Sequence, residues 1–182
     1  MVQRRAVFLV GYMGAGKTSV GRYLAKRLNW NFLDLDDKIE AKSGRSVAEI
    51  FASDGEPVFR RLEAEALEET VSVLTGGEPS VVALGGGAFA NDANAALLHE
   101  FGAPVVWLDA PVEELWKRTQ TAGTVRPLRT SLDEFGKRYE QRVAGYSSGT
   151  CRVDTNGKSI SDVAAEVAWL VSIGCANPRE ER

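Results

Sequence analysis

Residues Gly11-Tyr12-Met13-Gly14-Ala15-Gly16-Lys17-Thr18 set three glycines, a lysine and a hydroxyl in the pattern G-x-x-x-x-G-K-[ST]. They follow the apolar run Ala6 to Val10 and open a segment, Lys17 to Leu28, in which Val20, Leu24 and Leu28 recur at helical spacing. A glycine-rich turn between a strand and a helix lets backbone N–H groups point inward at a phosphate, and the helix N-terminus adds partial positive charge. The expected nucleotide contacts are therefore Gly14, Ala15, Gly16, Lys17, Thr18 and Ser19. Lys17 is placed to bridge the β- and γ-phosphates, and the Thr18 hydroxyl to ligate Mg²⁺.

A phosphate loop alone does not name a reaction, but an Asn-Lys-x-Asp guanine-reading element is absent, which speaks against a switch GTPase. Three features suggest an acceptor site instead. Asp34 and Asp36 are two apart at the end of a predicted strand, so both carboxylates are expected on one side of it and Asp37 on the other. Asp34 suits Mg²⁺ held through water, and Asp36 suits an acceptor hydroxyl whose proton it accepts. The blander alternative is that Asp36 or Asp37 merely caps a helix starting near Lys38. Next, Gly85-Gly86-Gly87 follow the apolar run ending at Leu84, which allows close approach of backbone to a ligand or makes a plain flexible turn. Finally, 15 of the 22 basic residues are arginine. Arg60, Arg126 and Arg142 fall in segments able to close over the crevice, and guanidinium forks match carboxylate and phosphate oxygens.

These residues need a scaffold. Short apolar runs at Ala6 to Val10, Asn31 to Asp34, Val81 to Leu84, Pro104 to Leu108 and Cys151 to Asp154 alternate with helical segments at Lys17 to Leu28, Glu56 to Leu74, Pro111 to Arg118 and Ser161 to Ser172. Such alternation predicts an α/β fold, a three-layer sandwich around a five-stranded parallel sheet. Ligands of such sheets bind at the C-terminal ends of the strands, where the candidate residues cluster. The polar stretch 119–131, with Gly123, Arg126, Pro127 and Arg129, is expected to be a mobile lid. One domain over 1–173 and a short flexible tail at 174–182 are expected.

Composition narrows the class. The chain has 182 residues, 44% of them apolar and 26% charged, with a net charge of -3, so a basic nucleic-acid-binding face is not forced on it. No run of about 18 apolar residues occurs, so a membrane span is not expected and a cytoplasmic protein is. The two cysteines, Cys151 and Cys175, lack metal-site spacing and are expected to be reduced thiols. The single histidine, His99, lies in a plain helical stretch, which disfavours a His-based triad.

Taken together, the segments resemble the shikimate kinase family of P-loop, nucleoside-monophosphate-kinase-like proteins. The resemblance spans Ala6 to Leu170 and is carried by GYMGAGKT, by DLDDKIE from Asp34 to Glu40, by GRSVAEIF from Gly44 to Phe51, by Gly55-Glu56 with FRRLE from Phe59 to Glu63, by LGGG from Leu84 to Gly87, by TVRPL from Thr124 to Leu128 and by Val153-Asp154-Thr155. It implies an ATP-dependent phosphorylation of the shikimate 3-hydroxyl in the chorismate pathway, with Mg²⁺ as cofactor. Lys17 and Thr18 would bind ATP and Mg²⁺, with Asp34 assisting the metal. Asp36, Arg60, Gly86, Gly87 and Arg142 would bind shikimate, Arg126 would neutralise charge on the transferring group, and Arg118 would lie beside the adenine. Lys17, Asp36 and Arg126 would be the catalytic set, in a monomer without nucleic-acid or membrane partners. A kinase of gluconate or aminoshikimate, or a nucleotide-binding domain without transfer activity, remain the alternatives. The family's Arg-x-Pro-x-Tyr stands here as Arg142-Val143-Ala144-Gly145-Tyr146, and Gly145 beside the replaced proline is expected to loosen that turn.

Overall fold

The structure, a computed structural model, describes residues 6–121, 131–149 and 151–172. Five strands, β1 (Ala6–Val10), β2 (Asn31–Asp34), β3 (Ser80–Ala83), β4 (Val105–Asp109) and β5 (Cys151–Asp154), form one sheet in the order β2-β3-β1-β4-β5. Every pairing is parallel. β1, β3 and β4 are buried at every position, so both faces of the sheet centre are covered, as a parallel sheet between helical layers requires. The edge strands β2 and β5 alternate or stay exposed. The expected three-layer α/β fold is therefore the observed one, with β3 and β4 beginning and ending a residue away from the expected limits.

Eight helices among the described residues join these strands. They are α1 (Lys17–Leu28), α2 (Leu35–Ser43), α3 (Val47–Ser53), α4 (Gly55–Leu74), α5 (Asp92–Phe101), α6 (Val112–Thr121), α7 (Leu132–Tyr146) and α8 (Ile160–Ser172), with a short 3-10 turn at Ala88–Ala90. The sequence pattern anticipated α1, α4, α6 and α8, and the helical stretch around His99, Ala95 to Phe101, is the later part of α5. The helix expected near Lys38 starts earlier, because Asp34 caps it: its carboxylate accepts a hydrogen bond from the Asp36 N–H at 3.2 Å. Asp36 consequently lies in the first turn of α2, and the expectation that Asp34 and Asp36 share one face of a strand is corrected. α3 begins with a reciprocal Ser46–Glu49 capping box.

Thr119 to Thr121, expected as the start of the lid, complete α6, and Ser131 caps α7 by accepting from the Glu134 N–H. Arg126 and the remainder of the expected lid lie outside the described residues, as do the tail and Cys175. Cys151 is disulfide-bonded, which overturns the expectation of a reduced thiol.

At the end of β4, a buried carboxylate ties three elements together. Asp109 is 3% exposed; it accepts from the Tyr139 hydroxyl of α7 at 2.8 Å and from Arg152 Nη2 of β5 at 2.7 Å. Burial and the neighbouring Asp109 push the Tyr139 phenol up from 10.0 to about 12. A group whose pKa rises on folding stabilises the folded state below its unfolded pKa and loses that contribution as pH climbs through the folded one. We therefore expect Tyr139→Phe to cost about 1–2 kcal/mol at pH 7. Denaturant titrations should show the gap to wild type closing between pH 10 and about 12, and an unchanged gap would contradict the assignment.

Candidate active site

The phosphate loop leaves the C-terminal end of β1 and turns into α1. Gly14 and Gly16 adopt φ values of 84° and 91°, a left-handed region in which a side chain is strained, and a Cβ at Gly14 would lie 2.5 Å from the Leu115 carbonyl oxygen of α6. Lys17 reaches back over the loop, donating from Nζ to the Gly11 and Tyr12 carbonyls at 2.8 and 3.2 Å. Beside it the Thr18 hydroxyl donates to Asp34 Oδ2 at 2.8 Å, while Oδ1 of the same carboxylate caps α2. Ser19 is exposed in the first turn of α1. The expected metal pair is thus brought together, although 16 positions separate its members.

Neighbouring β3 is followed by Leu84, whose N–H donates to the Leu9 carbonyl at 3.0 Å, so the triple-glycine turn lies directly beside the phosphate loop. Each glycine there gives its side-chain space to another residue. A Cβ at Gly85 would lie 2.5 Å from Glu63 Oε1 and 2.8 Å from Asp36 Oδ1; at Gly86, 3.5 Å from Arg142 Nη1; at Gly87, 2.5 Å from both terminal nitrogens of Arg60. Two carboxylates and two guanidinium groups therefore converge on bare backbone. The expected acceptor residues Asp36, Arg60, Gly86, Gly87 and Arg142 do meet in space.

Arg60 is held by carboxylates on its own helix, donating to Glu56 Oε1 from Nη2 and to Glu63 Oε2 from Nη1, both at 2.8 Å. Glu63 has no exposure, and its Oε1 has no hydrogen-bond partner among the described residues. Burial pushes its carboxyl above the usual value, against the pull of Arg60. Arg142 donates to the Gly86 carbonyl at 3.2 Å and lies 5.4 Å from the centre of the Tyr12 ring. Tyr146 donates a short bond to the same Gly86 oxygen. Asp37, expected to point away, is exposed and 3.6 Å from Arg22.

At the other end, Arg118 joins α6 to the segment after β5. It donates to Glu114 Oε1, to Thr155 Oγ1 and to the Thr155 carbonyl, each at 2.9 Å. One cavity of about 1040 Å³ runs from Arg118 and Thr155 past Lys17 to Asp36, Arg60 and Arg142. That volume lies at the upper end of single-ligand pockets and has room for a nucleotide and a small acceptor together.

Some functional neighbours went unread in the sequence. Glu63 occupies a core position of α4, four residues after buried Phe59 and three before buried Ala66, where a charge signals a pairing demand. Its spacing from Arg60 was the legible clue. The expectation that Gly145 loosens a turn is also corrected: Ala144 and Gly145 lie inside α7. An alanine keeps the N–H that proline lacks, so the helix runs unbroken through that position.

A phosphate loop, a hydroxyl–carboxylate pair beside it and an adjoining pocket with two guanidinium groups fit a P-loop phosphotransferase acting on a small acceptor. The family model for shikimate kinase matches residues 13–171. A shikimate kinase of Geobacter metallireducens is 44% identical over 90% of this chain and 89% of its own length, and one of Symbiobacterium thermophilum is 40% identical over 88% and 92%. The solved structure of shikimate kinase from Acinetobacter baumannii in complex with shikimate is 34% identical, has a TM-score of 0.84 and is matched over 93% of each chain. The chain belongs to the shikimate kinase family: it is an enzyme that phosphorylates shikimate with ATP.

Because Arg60 is tethered by two carboxylates, it has little freedom to yield to a methyl group at Gly87. Gly87→Ala is expected to raise the KM for the acceptor about tenfold, equivalent to about 1.4 kcal/mol, and to leave the KM for ATP unchanged. Steady-state kinetics with each substrate varied in turn check this, and equal changes in both KM values would refute it.

Proposed function

We propose that this site transfers the γ-phosphoryl group of ATP to the 3-hydroxyl of shikimate, with shikimate held across the Gly85-Gly86-Gly87 turn. The observation that supports this most is the convergence of Asp36, Arg60 and Arg142 on that turn, beside the phosphate loop. Arg60 and Arg142 grip the acceptor carboxylate, for which planar forks are suited. Asp36 orients the attacking hydroxyl and takes its proton as the new P–O bond forms and the bond to the ADP oxygen breaks. Lys17 stabilises charge on the β- and γ-phosphates, Arg126 adds its charge to the transferring group, and Arg118 flanks the adenine.

Thr18 and Asp34 offer hard oxygen donors 2.8 Å apart, the chemistry Mg²⁺ selects. Among the described residues no group of three or more His, Cys, Asp or Glu is clustered for a metal, and Mg²⁺ with nucleotides is normally held by one or two carboxylates plus phosphates. When bound, the ion neutralises charge developing between the β- and γ-phosphates. No described helix is long and apolar enough to cross a membrane. We place the reaction in the cytoplasm, in the chorismate pathway, with a monomer that takes ATP and shikimate and no nucleic acid.

ADP release by the purified protein with Mg-ATP, compared with shikimate, gluconate, AMP and no acceptor, tests the acceptor. Stimulation by shikimate alone is expected, and stimulation by gluconate instead would replace the acceptor assignment. Lys17→Ala and Asp36→Asn should each lower kcat by about 10²–10³-fold with unchanged circular dichroism. Wild-type turnover in either variant would remove that residue from the catalytic set.

A further inference from the structure

The last turn of α7 sits closer to its neighbour than a side chain permits. A Cβ at Gly145 would lie 2.8 Å from the Ala90 Cα, 3.3 Å from its Cβ and 3.5 Å from the Phe89 carbonyl oxygen. Backbone does not yield as the tip of a flexible side chain does, so any other residue would drive the helix outward to a contact of about 3.4 Å or more. Glycine is a poor helix former, and its place one residue before the end of α7 therefore needs a packing reason.

The residues on either side supply that reason. Arg142, three positions earlier, and Tyr146, the next residue, both donate to the Gly86 carbonyl oxygen. Tyr146 is fully buried and its ring lies 5.9 Å from that of Trp107, so the anchor is set in the core rather than at the surface. Burial pushes its phenol well up, which keeps it a donor at neutral pH. The Arg142 bond is already 3.2 Å long, so a retreat of α7 by about half an ångström takes it out of hydrogen-bond range.

We infer that Gly145 and Tyr146 form a positioning clamp, in which the position without a side chain seats α7 on the Ala88–Ala90 turn and so brings Arg142 and Tyr146 together onto Gly86. The clamp fixes the aim of Arg142 and the shape of the glycine turn at once. It rests on the acceptor-site reading given above. It also offers a reason why this chain holds Ala144-Gly145 in an unbroken helix: the helix docks closely instead of being bent toward the pocket.

Gly136 is a control in the same helix, since a Cβ there would make an ordinary 3.7 Å contact with Val112 Cγ1. The experiment measures KM for shikimate, KM for ATP and the thermal midpoint for wild type, Gly145→Ala, Tyr146→Phe and Gly136→Ala. Gly145→Ala should raise the shikimate KM by about tenfold or more with the ATP KM within about twofold, because misplacing a binding group by under 1 Å is costly. Tyr146→Phe, which keeps the ring and loses only the bond to Gly86, should move the same parameter in the same direction, and it decides the matter should Gly145→Ala fail to fold. Gly136→Ala should match wild type in both KM values. A shikimate KM within twofold of wild type in the folded variants, or KM values for both substrates rising together, overturns the clamp. Absence of shikimate-dependent ADP release by the wild type condemns the acceptor reading itself and the clamp with it, whereas a working wild type with indifferent variants condemns the clamp alone.

Discussion

After β3, three consecutive residues without side chains leave a strip of bare backbone, and charged groups from three helices close onto it. Glu63 and Arg60 come from α4, Asp36 from α2 and Arg142 from α7. A methyl group at Gly85 or Gly87 would stand within 2.5 Å of one of them, so the arrangement depends on empty space. Parallel pairing of β1 with β3 sets this strip beside the phosphate loop.

Charge balance follows from the same packing. A buried Glu63 is tolerable only with a partner, and Arg60 supplies it from the same helix while Glu56 takes the other side of the guanidinium. The pair thereby restricts the rotamers of Arg60 and presents its fork over Gly87. At the phosphate end, Asp34 does two jobs with its two oxygens, capping α2 and accepting from Thr18, so the start of α2 and the candidate metal site are fixed by one carboxylate. Asp36 enters the pocket from a helical first turn because of that cap.

The 142–146 segment shows how local chemistry and packing divide the work. Proline would remove an N–H from the helix, whereas Ala144 keeps it and Gly145 lets the helix approach Ala90. Read by itself, Gly145 signals conformational freedom; within the fold its small size matters more. Glu63 carries a similar lesson, since a carboxylate among core positions of α4 was visible in the sequence, but its neighbours Asp36 and Gly85 were not.

The sequence by itself determined the phosphate loop, the parallel α/β class and most strand limits, because these depend on periodicity and on short motifs whose chemistry is local. It also offered Asp34, Asp36, Arg60, Arg126 and Arg142 as candidates for one crevice. Only the tertiary structure decided that Asp36 belongs to α2 rather than β2, that Thr18 meets Asp34, that each glycine of the triple turn makes room for a particular charged group, and that Gly145 seats α7. Those facts rest on the sheet order and on distances between elements far apart in the chain. Contacts of that kind leave no periodic trace in the sequence, since what they require of a residue is its volume at one point in space.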